Sequence, residues 1–293
     1  MPNYDGWREK VAVVREVSDE YLSEEEKNTL RDIFVPLATA LAEKAPRSQL
    51  YHDLARCQTE GRCSVLKYDP EKDKFVFTRD GKQRDLDPDL FVEKGFVVCR
   101  RKDSGDVYIR WGESAKGVLA VQYTEKSMCD PEDEFLGTVH LHPAGAVFPS
   151  GGDMFYSVLA KYGCIAGKVY NPEEKKEYAR VLCHVADDSY VYDPRQDGFD
   201  LSYLFVEYPE LVSLKQKYER EVLDIIRHYQ GYTLKVTDAD GRVFVYVFPP
   251  RTPGVLHELV RKVKEVYRDT HRFELFTVDL SRSEPPDLSS IER

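Results

Sequence analysis

The apolar segment FLGTVHLH (residues 135–142) runs directly into the Pro/Gly-rich loop PAGAVFPSGG (143–152) and then into DMFYSVLAKYG (153–163). The first segment predicts a buried strand that ends before Pro143, because a proline restricts the residue that precedes it. The third segment predicts a short helix that ends at its glycine. Two further apolar strands are predicted at 164–170 and 178–185. This order of elements indicates a mixed α/β domain around residue 140.

Similar patterns extend the prediction in both directions. GFVVCRR (95–101) and DVYIRWG (106–112) predict a hairpin, and GVLAVQY (117–123) predicts a third strand. A helix over 20–45 begins with a capping box of Ser23 and Glu26. A helical stretch over 201–229 is followed by a ββαβ order that ends in FELFTVDL, similar to the first part of a β-grasp. We therefore predict an α/β (α+β) fold with a central mixed sheet flanked by helices. The predicted regions are an N-terminal helical and hairpin region (1–84), the central domain (85–197) and a C-terminal α+β region (198–293).

Composition narrows the class of protein. The chain has 293 residues, 42% of them hydrophobic, and its 42 basic and 52 acidic residues give a net charge of −10. This balance disfavours a nucleic-acid partner, because binding nucleic acid needs a basic face that neutralises phosphates. No apolar stretch approaches the roughly 20 residues of a spanning helix. The residues that follow Met1 contain no apolar run, so we expect no secretory signal. We expect a cytoplasmic protein without a membrane partner. The sequence is compatible with a homo-oligomer.

The six cysteines permit two interpretations. In the cytosol of a mesophile they would be reduced, and Cys164 and Cys183, which lie in apolar strands, would be ordinary core residues. The chain has only 3 Asn, 7 Gln and 3 Met beside many Glu, Lys and Arg, however, and this composition is typical of thermophiles. Intracellular disulfides are then acceptable. Cys57 and Cys63 are the pair closest in sequence, but sequence alone does not assign the pairing.

The chemistry-bearing residues are His140, His142 and Asp153. Residues i and i+2 of a strand point to the same face, so the two imidazoles should lie side by side. Asp153, at the start of the next helix, can supply a third ligand. Two His and one carboxylate leave one position of a tetrahedral zinc ion open, which is typical of a catalytic site. We predict one Zn²⁺ per chain. The remaining histidines show no ligand spacing and are expected to be structural or exposed: His52, His184, His228, His257 and His271.

The motif resembles that of the JAMM (MPN+) metalloprotease family, in particular its prokaryotic and archaeal branch. The similar features are His-x-His-Pro, then Ser150, two glycines and Asp153, with ten residues between the second His and the Asp. The resemblance covers roughly residues 88–190. It implies a cytidine-deaminase-like sheet, zinc bound by His140, His142 and Asp153, and a serine, here Ser150, that stabilises the oxyanion.

The family also has an upstream glutamate that acts as general base. Glu93, shortly before the strand GFVVCRR, fits that context, although one residue separates it from the glycine where family members often have two. The rival carboxylates are Glu113, Glu125 and Glu134. By this resemblance the protein is a zinc isopeptidase that cleaves after the C-terminal glycine of a ubiquitin-like or sulfur-carrier protein.

Two alternatives stay open. One is a non-catalytic scaffold with the same fold, which the complete set of ligand residues disfavours because a scaffold needs no open metal site. The other is a RadC-like protein with a link to DNA repair, which the loop also resembles but which the acidic charge disfavours.

Overall fold

The computed structural model describes residues 1–17, 22–46, 49–142, 147–200, 202–250, 252 and 254–293. Its strands are β1 Val13–Val17, β2 Leu66–Asp69, β3 Lys74–Arg79, β4 Lys82–Leu86, β5 Gly95–Arg100, β6 Val107–Trp111, β7 Glu113–Ser114, β8 Val121–Gln122, β9 Glu134–Leu141, β10 Tyr162–Asn171, β11 Lys176–Ala186, β12 Tyr232–Thr237, β13 Val243–Phe248 and β14 His271–Asp279. Its helices are α1 Glu24–Thr29, α2 Val35–Glu43, α3 Gln49–Thr59, α4 Gly151–Tyr156, α5 Pro194–Asp197, α6 Tyr203–Glu207, α7 Pro209–His228 and α8 Val255–Tyr267.

A seven-stranded sheet forms the centre of the molecule, with the strand order β1-β14-β11-β10-β9-β5-β6. Strands β9 and β10 are parallel, and the other neighbouring strands are antiparallel. Helices α2, α7 and α8 pack on this mixed sheet, which confirms the predicted α+β class. Strand β9 lies between β5 and β10, so the segment that ends in the two predicted ligands is an interior strand.

One face of the central sheet packs against the N-terminal helices. Ser23 and Glu26 form the predicted capping box at the start of α1. A π-helical turn, Leu30–Phe34, joins α1 to α2. Buried side chains of this segment, including Phe34 and Leu37, pack in one core with Val139 of β9 and Val181 of β11. The N-terminal helix therefore covers the face of the sheet opposite to the predicted ligands.

Helices α7 and α8 belong to the core on the other face. Ile226 of α7 and Val263 of α8 lie in the same cluster as Leu182 of β11 and Leu275 of β14. The predicted single helix over 201–229 is interrupted between α6 and α7. Tyr208 leaves the helical conformation there, because the following Pro209 disfavours it.

A second sheet has five strands in the order β13-β12-β2-β3-β4, and helix α3 carries part of its core. This sheet combines strands from the predicted 1–84 and 198–293 regions, whereas β14 joins the central sheet. The expected β-grasp-like sheet of β12, β13 and β14 is therefore wrong. The boundaries of the three predicted regions stay a prediction.

The cysteines form three disulfides, Cys57–Cys63, Cys99–Cys129 and Cys164–Cys183. The first is the pair closest in sequence. Cys164 and Cys183 are buried as expected, but the interpretation as reduced core residues is wrong, because β10 and β11 place them directly opposite each other. The predicted strand 117–123 is also shorter than expected, since only Val121–Gln122 pairs, with β7.

Candidate metal centre

Strand β9 brings the two predicted histidines together. His140 lies near its end, and His142 follows directly and donates its backbone N–H to the Ala166 carbonyl at 2.9 Å, so the strand path continues beyond Leu141. The alternation of the strand then puts both imidazoles on one face. Their Nε2 atoms lie 3.1 Å apart.

The third predicted ligand is held by the start of helix α4. Ser150 caps the helix: its Oγ accepts a hydrogen bond from the Asp153 N–H at 3.0 Å, and its own N–H donates to Asp153 Oδ2 at 2.7 Å. This capping box turns the carboxylate toward the histidines. Asp153 Oδ1 lies 3.3 Å from His140 Nε2, and Oδ2 lies 3.1 Å from His142 Nε2. Burial opposes ionisation, but the two imidazoles hold the pKa of Asp153 well below its usual value.

These separations fit a metal ion. Ligand atoms about 2.0–2.1 Å from a tetrahedral zinc lie about 3.3–3.4 Å from one another, close to the separations of 3.1–3.3 Å found here. In the described part of the chain, His140, His142 and Asp153 are the one group of three or more His, Cys, Asp or Glu residues with this geometry. The His142 side chain is 5% exposed, whereas His140 and Asp153 are 18% and 19% exposed. The open side of the group therefore faces solvent past His140 and Asp153.

Glu93 lies beside the group because of strand register. Gly95 pairs with His140, and the Lys94 carbonyl accepts a hydrogen bond from the Leu141 N–H at 2.7 Å. Extension of this antiparallel register by two residues beyond the Gly95–His140 pair puts Glu93 opposite His142 on the ligand face. Ser114 Oγ fixes the Glu93 carbonyl at 2.6 Å.

The environment of Glu93 is that of a candidate proton acceptor. The residue is 6% exposed. Burial raises the pKa of Glu93 to about 8, and the Asp153 carboxylate adds to this, while His142 acts in the opposite direction. Such a pKa lies near the operating range of a general base at neutral pH. The rival carboxylates Glu113, Glu125 and Glu134 are all exposed.

Gly95 allows the close approach of β5 to the ligand strand. A Cβ at this position would lie 2.9 Å from His140 Cβ, 2.9 Å from the Val139 carbonyl oxygen and 2.8 Å from the Tyr123 hydroxyl. No side chain fits there without a shift of the backbone of β9. The glycine that marked the context of Glu93 in the sequence is thus also a steric requirement of the site.

Two tyrosines at the site were not predicted from the sequence: Tyr123, after β8, and Tyr246, on β13. The Tyr246 ring meets the His142 ring edge-on, with ring centroids 6.3 Å apart. Glu93 and Asp153 add to the effect of burial in raising the pKa of each tyrosine. No local signal could have found Tyr246, because VFVYVF reads only as a strand and the second sheet brings it to the metal group.

The other histidines lie outside the metal group: His184 and His271 are buried, His52 is half-buried, and His228 and His257 are exposed. His271 is buried and lies within hydrogen-bond distance of Ser157 Oγ, at 2.7 Å, and of Thr270 Oγ1, at 2.8 Å. His184 is also buried, and burial lowers its pKa to about 4. Its ring meets the His271 ring at 5.6 Å. Neither belongs to the metal group, and burial lowers the pKa of both, which favours their neutral forms.

A pocket of about 270 Å³ lies beside α4, next to the turn that carries Asp153. Its walls include the half-exposed aromatic residues Tyr156 and Phe205. Lys215 and Glu219 of α7 add charges of both signs. The pocket offers room for an apolar side chain close to α4, the helix that carries Asp153.

Comparisons of the chain with protein-family models, with curated proteins and with solved structures found no match. The resemblance to the JAMM family therefore rests on the motif residues. Among the described residues, no helix combines the length and the apolar character needed to cross a membrane.

Proposed function

We propose that the protein is a JAMM-type zinc metallopeptidase, with one Zn²⁺ held by His140, His142 and Asp153 and with Glu93 as general base. The observation that carries this proposal is the position of the buried Glu93 carboxyl beside a ligand group whose spacing suits a tetrahedral metal. The central sheet would correspond to the cytidine-deaminase-like core of that family. The motif supplies the same residue types in the same order.

The chain's own residues would divide the work of hydrolysis. Bound zinc supplies a Lewis acid that lowers the pKa of a coordinated water from 15.7 to about 7. Glu93 takes a proton from the attacking water while the water oxygen forms a bond to the scissile carbonyl carbon. Glu93 then gives this proton to the leaving nitrogen as the C–N bond breaks.

Ser150 has one further capacity. Its oxygen accepts from the Asp153 N–H, so its own O–H stays available as a donor to the negative charge that develops on the carbonyl oxygen. Ser150 can therefore act both as a helix cap and as a hydrogen-bond donor to the oxyanion.

The substrate class follows from the resemblance. The scissile bond would be an (iso)peptide bond after the C-terminal glycine of a ubiquitin-like or sulfur-carrier protein. The pocket beside α4, with Phe155 and Phe205 in its walls, could accept an apolar side chain of such a substrate.

The test is hydrolysis of an isopeptide-linked conjugate of a ubiquitin-like protein, with and without chelator. Glu93→Gln should lower kcat on the order of 10²–10⁴-fold while one zinc stays bound, because the base acts on the barrier and is not a ligand. His140→Ala should lose both zinc and activity. Glu113→Gln, which changes an exposed rival carboxylate, is the matched control and should keep wild-type activity.

The contrary outcomes are distinct. Full activity of Glu93→Gln would transfer the role of base to another carboxylate. Zinc binding by a wild-type protein that cleaves no conjugate would favour the non-catalytic scaffold.

A further inference from the structure

Tyr246 reaches the metal group from a different sheet. It lies on β13, the edge strand of the five-stranded sheet, opposite Leu234 of β12. Its side chain is buried, with 4% of the residue exposed. The ring stands nearly perpendicular to the His142 ring, at 79°. The contact thus joins the second sheet to the ligand strand of the first.

The hydroxyl group of Tyr246 is buried and meets no hydrogen-bond partner of standard geometry among the described residues. A buried polar group without a partner costs folding free energy, so such groups in native proteins call for an explanation. The Glu93 carboxyl is the neighbour that explains it. The ring contact places Tyr246 at His142, and the strand register puts Glu93 opposite the same histidine. Burial raises the pKa of Tyr246 well above its usual value, and the nearby Glu93 charge adds to this.

Tyr218 and Tyr267 provide the comparison. Their hydroxyls are likewise buried and without a standard hydrogen-bond partner in the described part of the chain. Their rings contact each other, with centroids 5.5 Å apart, in the core under α7 and α8. Tyr246 differs because its hydroxyl is beside the carboxyl of the candidate base.

We propose that Tyr246 is a positioning residue for Glu93: its hydroxyl donates a hydrogen bond to one carboxylate oxygen and leaves the other free to accept a proton from water. This inference rests on the proposed role of Glu93. A phenol suits the task because it is a neutral donor and places no positive charge beside a metal group. A lysine or arginine would also donate but would oppose the binding of a cation.

The inference gives the C-terminal region a share in the site. Glu93 and Tyr246 are far apart in sequence, and only the packing of β13 against the ligand strand brings them together. The role of β13 is therefore to complete the environment of the base as well as to border the second sheet.

The experiment compares Tyr246→Phe with Tyr267→Phe, both as zinc-loaded full-length protein. Tyr246→Phe should lower kcat on the isopeptide conjugate about 10- to 100-fold, a fraction of the effect expected for the base itself. KM and zinc stoichiometry should stay at their wild-type values, because the removed hydroxyl does not belong to the metal group. Tyr267→Phe should leave kcat unchanged. An unchanged kcat in Tyr246→Phe, or a loss accompanied by loss of zinc, would overturn the inference while the proposed function stands.

A second measurement decides the inference without activity. A double-mutant cycle of Tyr246→Phe and Glu93→Gln is measured by urea unfolding of the zinc-loaded protein. If the hydroxyl binds the carboxylate, the two changes should be coupled by at least about fivefold in the unfolding equilibrium constant. Additive effects would overturn the inference, whether or not the wild-type protein cleaves a conjugate. A wild-type protein that cleaved no conjugate would instead refute the proposed function.

Discussion

Replacement of Gly95 by alanine tests whether the register of β5 and β9 sets the spacing of the metal ligands. The new methyl group would lie within 3.0 Å of three atoms, and two of them, His140 Cβ and the Val139 carbonyl oxygen, cannot move without the backbone of β9. Overpacking of this kind costs about 1–3 kcal/mol of folding free energy. Relief of the clash moves His140 away from its partners, so we expect zinc affinity to fall about tenfold or more, equivalent to about 1.4 kcal/mol.

Gly152→Ala is the matched control within the same site. A Cβ there would lie 3.6 Å from Ser150 Oγ, an ordinary contact. Gly152 is in helix α4, where alanine is preferred over glycine by about 0.5–1 kcal/mol. This variant should be as stable as the wild type or more so, with unchanged zinc affinity.

The measurements are urea unfolding of the metal-free protein and competitive zinc titration. Gly95→Ala should be impaired in both, and Gly152→Ala in neither. Wild-type zinc affinity in Gly95→Ala would refute the reasoning, because the close approach of Gly95 to His140 would then have no part in the ligand geometry. Equal losses in both variants would indicate a general sensitivity of the site to added volume.

Two further predictions concern the helix cap and a buried histidine. Ser150→Ala should lower the free energy of unfolding by about 0.5–2 kcal/mol, as for other N-caps. The variant should also bind zinc more weakly, because the Asp153 N–H loses its hydrogen bond to Ser150 Oγ, which helps to orient the residue. Unchanged zinc affinity in a calorimetric titration would show that the cap does not orient the metal group. For His184, the pKa is lowered from 6.5 to about 4 by burial, so the unfolded chain binds a proton through this range before the folded chain does. Stability should therefore fall as pH falls from about 6.5 to about 4, by up to about 2 kcal/mol at pH 5 from this group. Urea unfolding at pH 7 and pH 5 should show a smaller difference for His184→Leu than for the wild type, and an equal difference would exclude this source.

The local parts of the candidate site could be predicted from the amino-acid sequence. The i and i+2 positions of His140 and His142 follow from strand alternation, which is a property of the backbone. The turn of Asp153 toward them follows from a capping box with Ser150, a contact over three residues. The hairpin of β5 and β6 and the capping box of α1 were predictable for the same reason, since each depends on residues close together in the chain.

The contacts between elements that are distant in sequence could not be predicted in this way. Periodicity tells which face of a strand is buried, but it does not name the neighbouring strand, because strand pairing depends on packing summed over the whole sheet. Four carboxylates were candidates for the base, and the register of β5 on β9 placed Glu93 beside His142. Packing over the whole sheet also explains why β14 pairs in the central sheet and not with the β12–β13 hairpin. For the same reason, the contact of Tyr246 in the second sheet with the metal group could not be predicted.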